Sequence, residues 1–236
     1  VPSTVVASPP ARLGTLVAGD YRYPLTAEDV IWLGRTLACE SGGRRDVMAG
    51  VAWTYASLMT TTERSSLASL IQAHSQPLNP IWRRDGSKCR APDGEYYNRC
   101  YTSASGRRVC PCSDAALERR ERCATLRWDQ LAESVRETVT AFVAGVLPNP
   151  VPRSIDFAAG LRGRTGAELV REIGSTQFWS SPTSRRWPAN HVRVVGPTGS
   201  SAPELVASAG GNVGATLLVV ALATGAGFYF WQASRG

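Results

Sequence analysis

From residue 26 onward the apolar positions recur mostly at intervals of three and four, the period of an amphipathic helix. Thr26-Ala-Glu-Asp29 is like a capping box with acidic residues in the first turn. It predicts a helix whose inner face carries Val30, Ile31, Leu33, Leu37 and Ala38. Glu40-Ser-Gly-Gly43 should stop that helix. A second helix is predicted over 45–59, with Val47, Met48, Val51, Ala52, Tyr55, Leu58 and Met59 in phase. A third follows over 66–74, around Leu67, Leu70 and Ile71. Helical patterning resumes over 113–126 and 129–146, then breaks at Pro148, Pro150 and Pro152. Thr165-Gly-Ala-Glu168 predicts a further short helix ending at Ile173. Residues 1–24, with Pro9 and Pro10, read as an extended arm.

One segment has no polar face. Residues 205–234 carry no charged side chain, and 213–231 reads VGATLLVVALATGAGFYFW. About 20 apolar residues cross a hydrocarbon core as a helix. Phe228, Tyr229, Phe230 and Trp231 would sit at one interface, with Arg235 beyond them. A transmembrane helix is the expectation, and a buried C-terminal core helix is the other reading. The Pro-, Gly- and Ser-rich stretch before it predicts a linker over 196–212. The expected class is therefore mainly α: one helical domain over 25–195 with an irregular cysteine-rich insertion at 77–112, then the linker and a membrane helix.

Composition adds a charge. The chain has 236 residues, 43% of them hydrophobic, which is enough for a core and excludes a disordered protein. Its net charge is +7, almost all from arginine, since Lys88 is the only lysine. Anionic partners are therefore favoured, whether nucleic acid, lipid headgroups or cell-wall polymer. The arginine pairs Arg83-Arg84, Arg107-Arg108, Arg119-Arg120 and Arg185-Arg186 are scattered through loops and helices and accompany no nucleic-acid motif, so nucleic acid is not an expected partner.

Cys39, Cys89, Cys100, Cys110, Cys112 and Cys123 are the six cysteines, five of them in a window poor in large aliphatics. Such a segment needs staples or a metal. Zinc prefers a CxxC knuckle, whereas the close pair here is Cys110-Pro-Cys112 and the other gaps are longer. Disulfides are favoured over zinc or free thiols, and they imply an oxidising compartment. Spacing does not fix the pairing. Cys39 is a candidate partner that would pin the loop beside Glu40.

Few residues are arranged for chemistry. His74 and His191 lie in no metal-binding spacing, and neither a nucleophile elbow nor a phosphate loop is present, so no metal or cofactor is implied. Glu40 is the conspicuous acid: it closes an apolar helix, where the negative end of the dipole and partial burial both raise a carboxyl pKa. That is the profile of a general acid near neutral pH, and a solvated glutamate before a turn is the plain alternative. Flat aromatics and amides suit sugar rings, and Gln76, Asn79, Trp82 and Tyr97 supply them, with Ser41 next to the acid.

Residues 33–59, LGRTLACESGGRRDVMAGVAWTYASLM, resemble the SleB-type cell-wall hydrolases: an apolar helix ending in Glu40, the turn Ser41-Gly42-Gly43, then a helix containing Ala49-Gly50-Val51-Ala52. Glu40-Ser41-Gly42 also resembles the start of the catalytic motif of lysozyme-like lytic transglycosylases. The Asn-Arg pair that usually ends the second helix in the SleB-like families is replaced here by Ser57-Leu58-Met59. The resemblance implies a lysozyme-like helical fold, peptidoglycan as partner and substrate, and cleavage of the β-1,4 bond between N-acetylmuramic acid and N-acetylglucosamine. One glutamate would suffice for a lyase that closes a 1,6-anhydro ring. Hydrolysis would need a second carboxylate, for which Asp156 is the first candidate and Asp46 and Asp129 the next. The expected setting is an envelope or a phage virion, alongside other proteins of that structure. A non-catalytic peptidoglycan-binding membrane protein is the rival reading.

Overall fold

The structure is a computed structural model and describes residues 8–62, 64–95, 100–102, 106–159 and 166–197. Helix α1 (Ala27–Glu40) begins where the sequence predicts. The Thr26 hydroxyl accepts from Asp29 N at 3.2 Å while Asp29 Oδ2 accepts from Thr26 N at 2.8 Å. Asp29 is only 1% exposed, and it does more than cap. Its Oδ2 also accepts from the Tyr23 hydroxyl at 2.8 Å, and its Oδ1 accepts from Ala68 N at 2.8 Å, in the first turn of α3 (Leu67–His74). One carboxylate thus organises the starts of two helices.

Helix α2 (Arg45–Met59) is buried almost all round, with only Arg45, Asp46 and Leu58 outside the core. A helix apolar on every face must be surrounded. Helix α5 (Glu133–Val143) covers one side, where the Trp53 and Phe142 rings meet edge-on at 5.2 Å. On another side Phe178 approaches so closely that a Cβ on Gly50 would lie 2.5 Å from its ring. Helix α4 (Asp114–Thr125) packs along α1.

The strands correct the sequence-based class. Three small antiparallel sheets accompany the helices, so the described chain is α + β and not a mainly α, lysozyme-like helical domain. Strands β1 (Thr15–Ala18) and β2 (Tyr21–Pro24) form a hairpin, and β8 (Arg193–Val195) pairs on the other edge of β1. Within the stretch read as an extended arm, residues 15–24 are a docked hairpin with Leu16 fully buried. Strands β3 (Tyr101–Thr102) and β4 (Arg108–Val109) make a short ladder. Strand β5 (Asp156–Ala159) pairs with β7 (Thr176–Ser180), which pairs with β6 (Glu168–Ile173). The helix predicted up to Ile173 is thus β6. Both hairpins turn on two residues, Gly19-Asp20 and Gly174-Ser175, with Gly19 at φ 59° and Gly174 at φ 63°. Only glycine takes that conformation freely, and such turns match strand twist.

All six cysteines pair, as Cys39–Cys123, Cys89–Cys112 and Cys100–Cys110. The expected staples are present, and they point to an oxidising, extracytoplasmic compartment. Cys89 and Cys112 build a small separate core with Leu117, covered by Trp82. The predicted membrane helix at 213–231 and the linker beyond residue 197 lie outside the described residues. No helix among the described residues is long and apolar enough to cross a membrane.

Asp29→Ala removes the cap of α1 and leaves the Ala68 amide and Tyr23 hydroxyl buried without an acceptor. Loss of the cap and of charged hydrogen bonds should destabilise the fold by about 2–4 kcal/mol. Denaturant unfolding monitored by circular dichroism measures this, and a change below about 0.5 kcal/mol would contradict the shared-carboxylate role.

Candidate active site

Glu40 is the last residue of α1 and Ser75 caps the end of α3. The two helix ends meet. The Ser75 hydroxyl donates to Glu40 Oε1, as do Thr36 Oγ1 at 3.3 Å and the Tyr55 hydroxyl at 3.5 Å. Thr36 and Ser75 also hydrogen-bond to each other at 3.3 Å. Thr36 lies one turn before Glu40 on the same face of α1, and Tyr55 reaches in from α2. All three hydroxyls converge on one oxygen. Oε2 accepts nothing from the described residues.

This asymmetry governs the acid. Glu40 as a residue keeps part of its surface, but its carboxyl lies deep enough that lost hydration dominates its titration. Burial raises its pKa to about 7, against the opposing hydrogen bonds from Ser75, Thr36 and Tyr55. The Tyr55 phenol is raised in turn by its own burial and then by the Glu40 charge. A carboxyl that is half protonated near neutrality, with one oxygen fixed by hydrogen bonds and the other without a donor among the described residues, is suited to giving and retaking a proton.

The other predicted residues divide into neighbours and braces. Gln76 is exposed, directly after Ser75. Ser41 is buried and spends its hydroxyl closing α1, donating to Leu37 O and accepting from Gly43 N at 3.3 Å. Asn79 braces its own turn: Nδ2 donates to Ala73 O at 2.8 Å and Oδ1 accepts from Ile81 N at 3.0 Å. Trp82, in the 3₁₀ turn Pro80–Trp82, covers the small disulfide core, with Lys88 Nζ 4.7 Å from its ring centre. Tyr97 lies outside the described residues.

Asp156 begins β5, the strand that brings Phe157 edge-on to Tyr55 at 5.8 Å. The charge of Asp156 raises the pKa of His74, the residue before Ser75, against the larger lowering by burial. Asp46 and Asp129 are engaged by Arg44 at 2.7 Å and Arg127 at 3.1 Å, which hold both below the usual carboxylate range. Among the described residues no group of three His, Cys, Asp or Glu side chains could hold a metal.

Sequence reasoning missed Thr36, Tyr55 and Ser75. Thr36 offered a signal, a hydroxyl one turn before an acid. Tyr55 and Ser75 offered none, because one hides in an apolar face and the other in a loop. Compared with known proteins, the chain matches no family model, no curated protein and no solved structure.

The raised pKa carries a stability consequence. Between its ordinary value of 4.5 and about 7, Glu40 binds more protons in the native state than in the unfolded chain. Its contribution therefore favours the fold at acid pH and is lost as pH rises through that window. Glu40→Gln removes the loss, so at pH 8 the variant should exceed the parent by at most about 3 kcal/mol, with the gap closing towards pH 4. Denaturant unfolding across that range measures the gap, and a gap independent of pH would contradict the buried acid.

Proposed function

We propose that this chain cleaves bacterial peptidoglycan as a lytic transglycosylase, with Glu40 as its single catalytic acid–base. The observation that carries the reading is the divided carboxyl: three hydroxyls hydrogen-bond to Oε1, none of the described residues donates to Oε2, and the pKa is about 7. Three donors on Oε1 favour placing the carboxyl proton on Oε2. That proton passes to the glycosidic oxygen as the bond to C1 of N-acetylmuramic acid breaks. The resulting carboxylate then takes the proton of the muramyl 6-hydroxyl as its oxygen bonds to C1, closing the 1,6-anhydro ring. Glu40 is regenerated and no water is consumed.

A hydrolase would need a second carboxylate working across the same bond. The one-carboxyl reaction needs only Glu40. The resemblance of residues 33–59 to the SleB-type cell-wall hydrolases, and of Glu40-Ser41-Gly42 to the lytic transglycosylase motif, supports the substrate, and the disulfides suit an enzyme that meets the wall outside the cytoplasm, in an envelope or a virion.

Mass spectrometry of digested peptidoglycan should find 1,6-anhydro muropeptides. Reducing ends would indicate hydrolysis, and intact glycan would leave only binding. Glu40→Gln keeps shape and removes the proton, so turnover should fall by about 10²–10⁴-fold. Glu28→Gln, exposed on the first turn of the same helix, should leave turnover unchanged. Parental turnover in Glu40→Gln would refute the assignment.

The acid form declines above its pKa, so the rate should fall as pH rises through about 7. Ser75→Ala removes a hydrogen bond that lowers that pKa and should move the falling limb to higher pH. An unmoved limb in Ser75→Ala would place the titrating group elsewhere.

A further inference from the structure

Helix α4 is fastened to α1 at three points, two of them beside the acid. Cys123 is bonded to Cys39, the residue before Glu40. Arg119 Nη2 donates to the Cys39 carbonyl at 3.2 Å, which satisfies one of the open carbonyls at that helix end. From α1, Arg35 Nε donates to Leu126 O at 2.9 Å. Little apolar surface backs these ties, although α4 packs chiefly on α1. Of the buried residues of α4, Leu117 belongs to the small core of Cys89 and Cys112, and Arg120 turns to Pro111 O. Only Cys123 and Ala124 join the main core. Cys89–Cys112 lies within the small core and Cys100–Cys110 closes the β3–β4 hairpin, so Cys39–Cys123 is the bridge that reaches the helix of the acid.

Elements with few buried contacts open most readily. On one side the end of α1 is tied through Ser75, after α3, and Tyr55, from α2, both on the carboxyl. On the α4 side it is tied by the bond and by Arg119. Without the bond, Arg119 and Arg35 remain, each with one hydrogen bond to a carbonyl, and such bonds hold little against the freedom of a released helix. Release of α4 lets water return to the end of α1, and lost hydration is what lifts the Glu40 carboxyl.

We propose that Cys39–Cys123 is a redox gate on the acid: the chain is inert while these two thiols are reduced and becomes competent when their bond forms. The inference rests on the reading of Glu40 as catalytic acid and adds its regulation. The step is thiol–disulfide exchange. The Cys39 and Cys123 thiols give up two protons and two electrons as their S–S bond forms, and a small-molecule or protein disulfide takes them up as its own S–S bond breaks to two thiols. A reducing cytoplasm keeps the pair as thiols and an oxidising envelope joins them, so the acid becomes competent on the side where the wall lies.

The titration of Glu40 is read by NMR from isotope-labelled glutamate carboxyls in the full chain, with Glu40→Gln identifying its signal. The titratable and charged groups about it are Tyr55 from α2, Arg119 from α4, and His74 before Ser75, on which Asp156 acts. In the oxidised parent the signal should titrate at about 7, and in the pair Cys39→Ser with Cys123→Ser it should move towards 4.5. A complete shift leaves the acid form scarce at neutrality, so turnover on peptidoglycan at pH 7 should fall by about 10²-fold, and at pH 4.5 by only about twofold. The parent held in a dithiol reductant should match the serine pair and recover on reoxidation by a disulfide. Cys100→Ser with Cys110→Ser, which opens the hairpin bond instead, should leave the titration at the parental value.

Circular dichroism checks that the serine pair keeps its helices. Should it not, Cys39→Ala with Cys123→Ala, which leaves the buried Cys123 position apolar, takes its place in the same comparison. An unmoved titration in a folded chain without the bond overturns the gate, as does a loss of turnover equal at pH 7 and pH 4.5. A chain that folds in neither variant makes the bond a folding staple and overturns the gate as well. A parent that cleaves no peptidoglycan strikes the proposed reaction, while the titration still decides the gate.

Discussion

Two parallel helices held at both ends set the geometry on which the site depends. Asp29 of α1 accepts from Ala68 of α3, and one stretch later Thr36 of α1 meets Ser75 at the end of α3. Both contacts span the same sequence offset of 39 residues, so the helices run in register for two turns. Fixing the starts therefore fixes where the ends arrive. The ends arrive with a hydroxyl against a carboxyl, and the position of Ser75 at Glu40 is a consequence of the Asp29 network as much as of local sequence. Asp29 and Glu40, near the two ends of α1, also differ in kind. Asp29 meets backbone amides at helix starts, where the dipole favours negative charge. Glu40 sits at a helix end, where it does not.

The fully buried α2 supplies the second constraint. Its apolar faces force other elements to surround it, and the sheet of β5, β7 and β6 does so on one side through Phe178 against Gly50. Polar atoms inside that packing must find partners. Thr54 finds Ser154 at 3.0 Å, and Tyr55 finds Glu40. The hydroxyl that tunes the acid is thus a by-product of satisfying a buried tyrosine. Packing, polar satisfaction and acid chemistry converge on the same residues.

The helices and the acid were legible because their signals are long or singular. Five stretches of 3.6-residue period became α1 to α5, and one carboxyl at the end of an apolar helix became the centre of the site. The strands were not legible by period, since each spans six residues or fewer. Leu169, Val170 and Ile173 fit a helical face as well as an edge strand, and Thr165-Gly-Ala-Glu168 mimics a capping box. The better signal was Gly174-Ser175 between two short runs, matched by Gly19-Asp20 at the other hairpin. Cysteine number foretold staples, but the partners required the fold: Cys39 pairs with Cys123, on α4, beyond the irregular loop. Asn79, Trp82 and Ser41 carried sugar-binding chemistry in composition, yet the backbone consumes the polar atoms of two of them and a small core occupies the third.

What holds the strained corner together is covalent. Ionising the buried Glu40 costs up to about 3 kcal/mol at alkaline pH. Cys39–Cys123, 84 residues apart in sequence, lies beside it. In the chain-entropy account a loop of that size is worth about 4–5 kcal/mol, the same order as the cost next to it. The disulfide therefore fastens the helix that ends in Glu40 to α4, beside the carboxyl whose ionisation lowers stability.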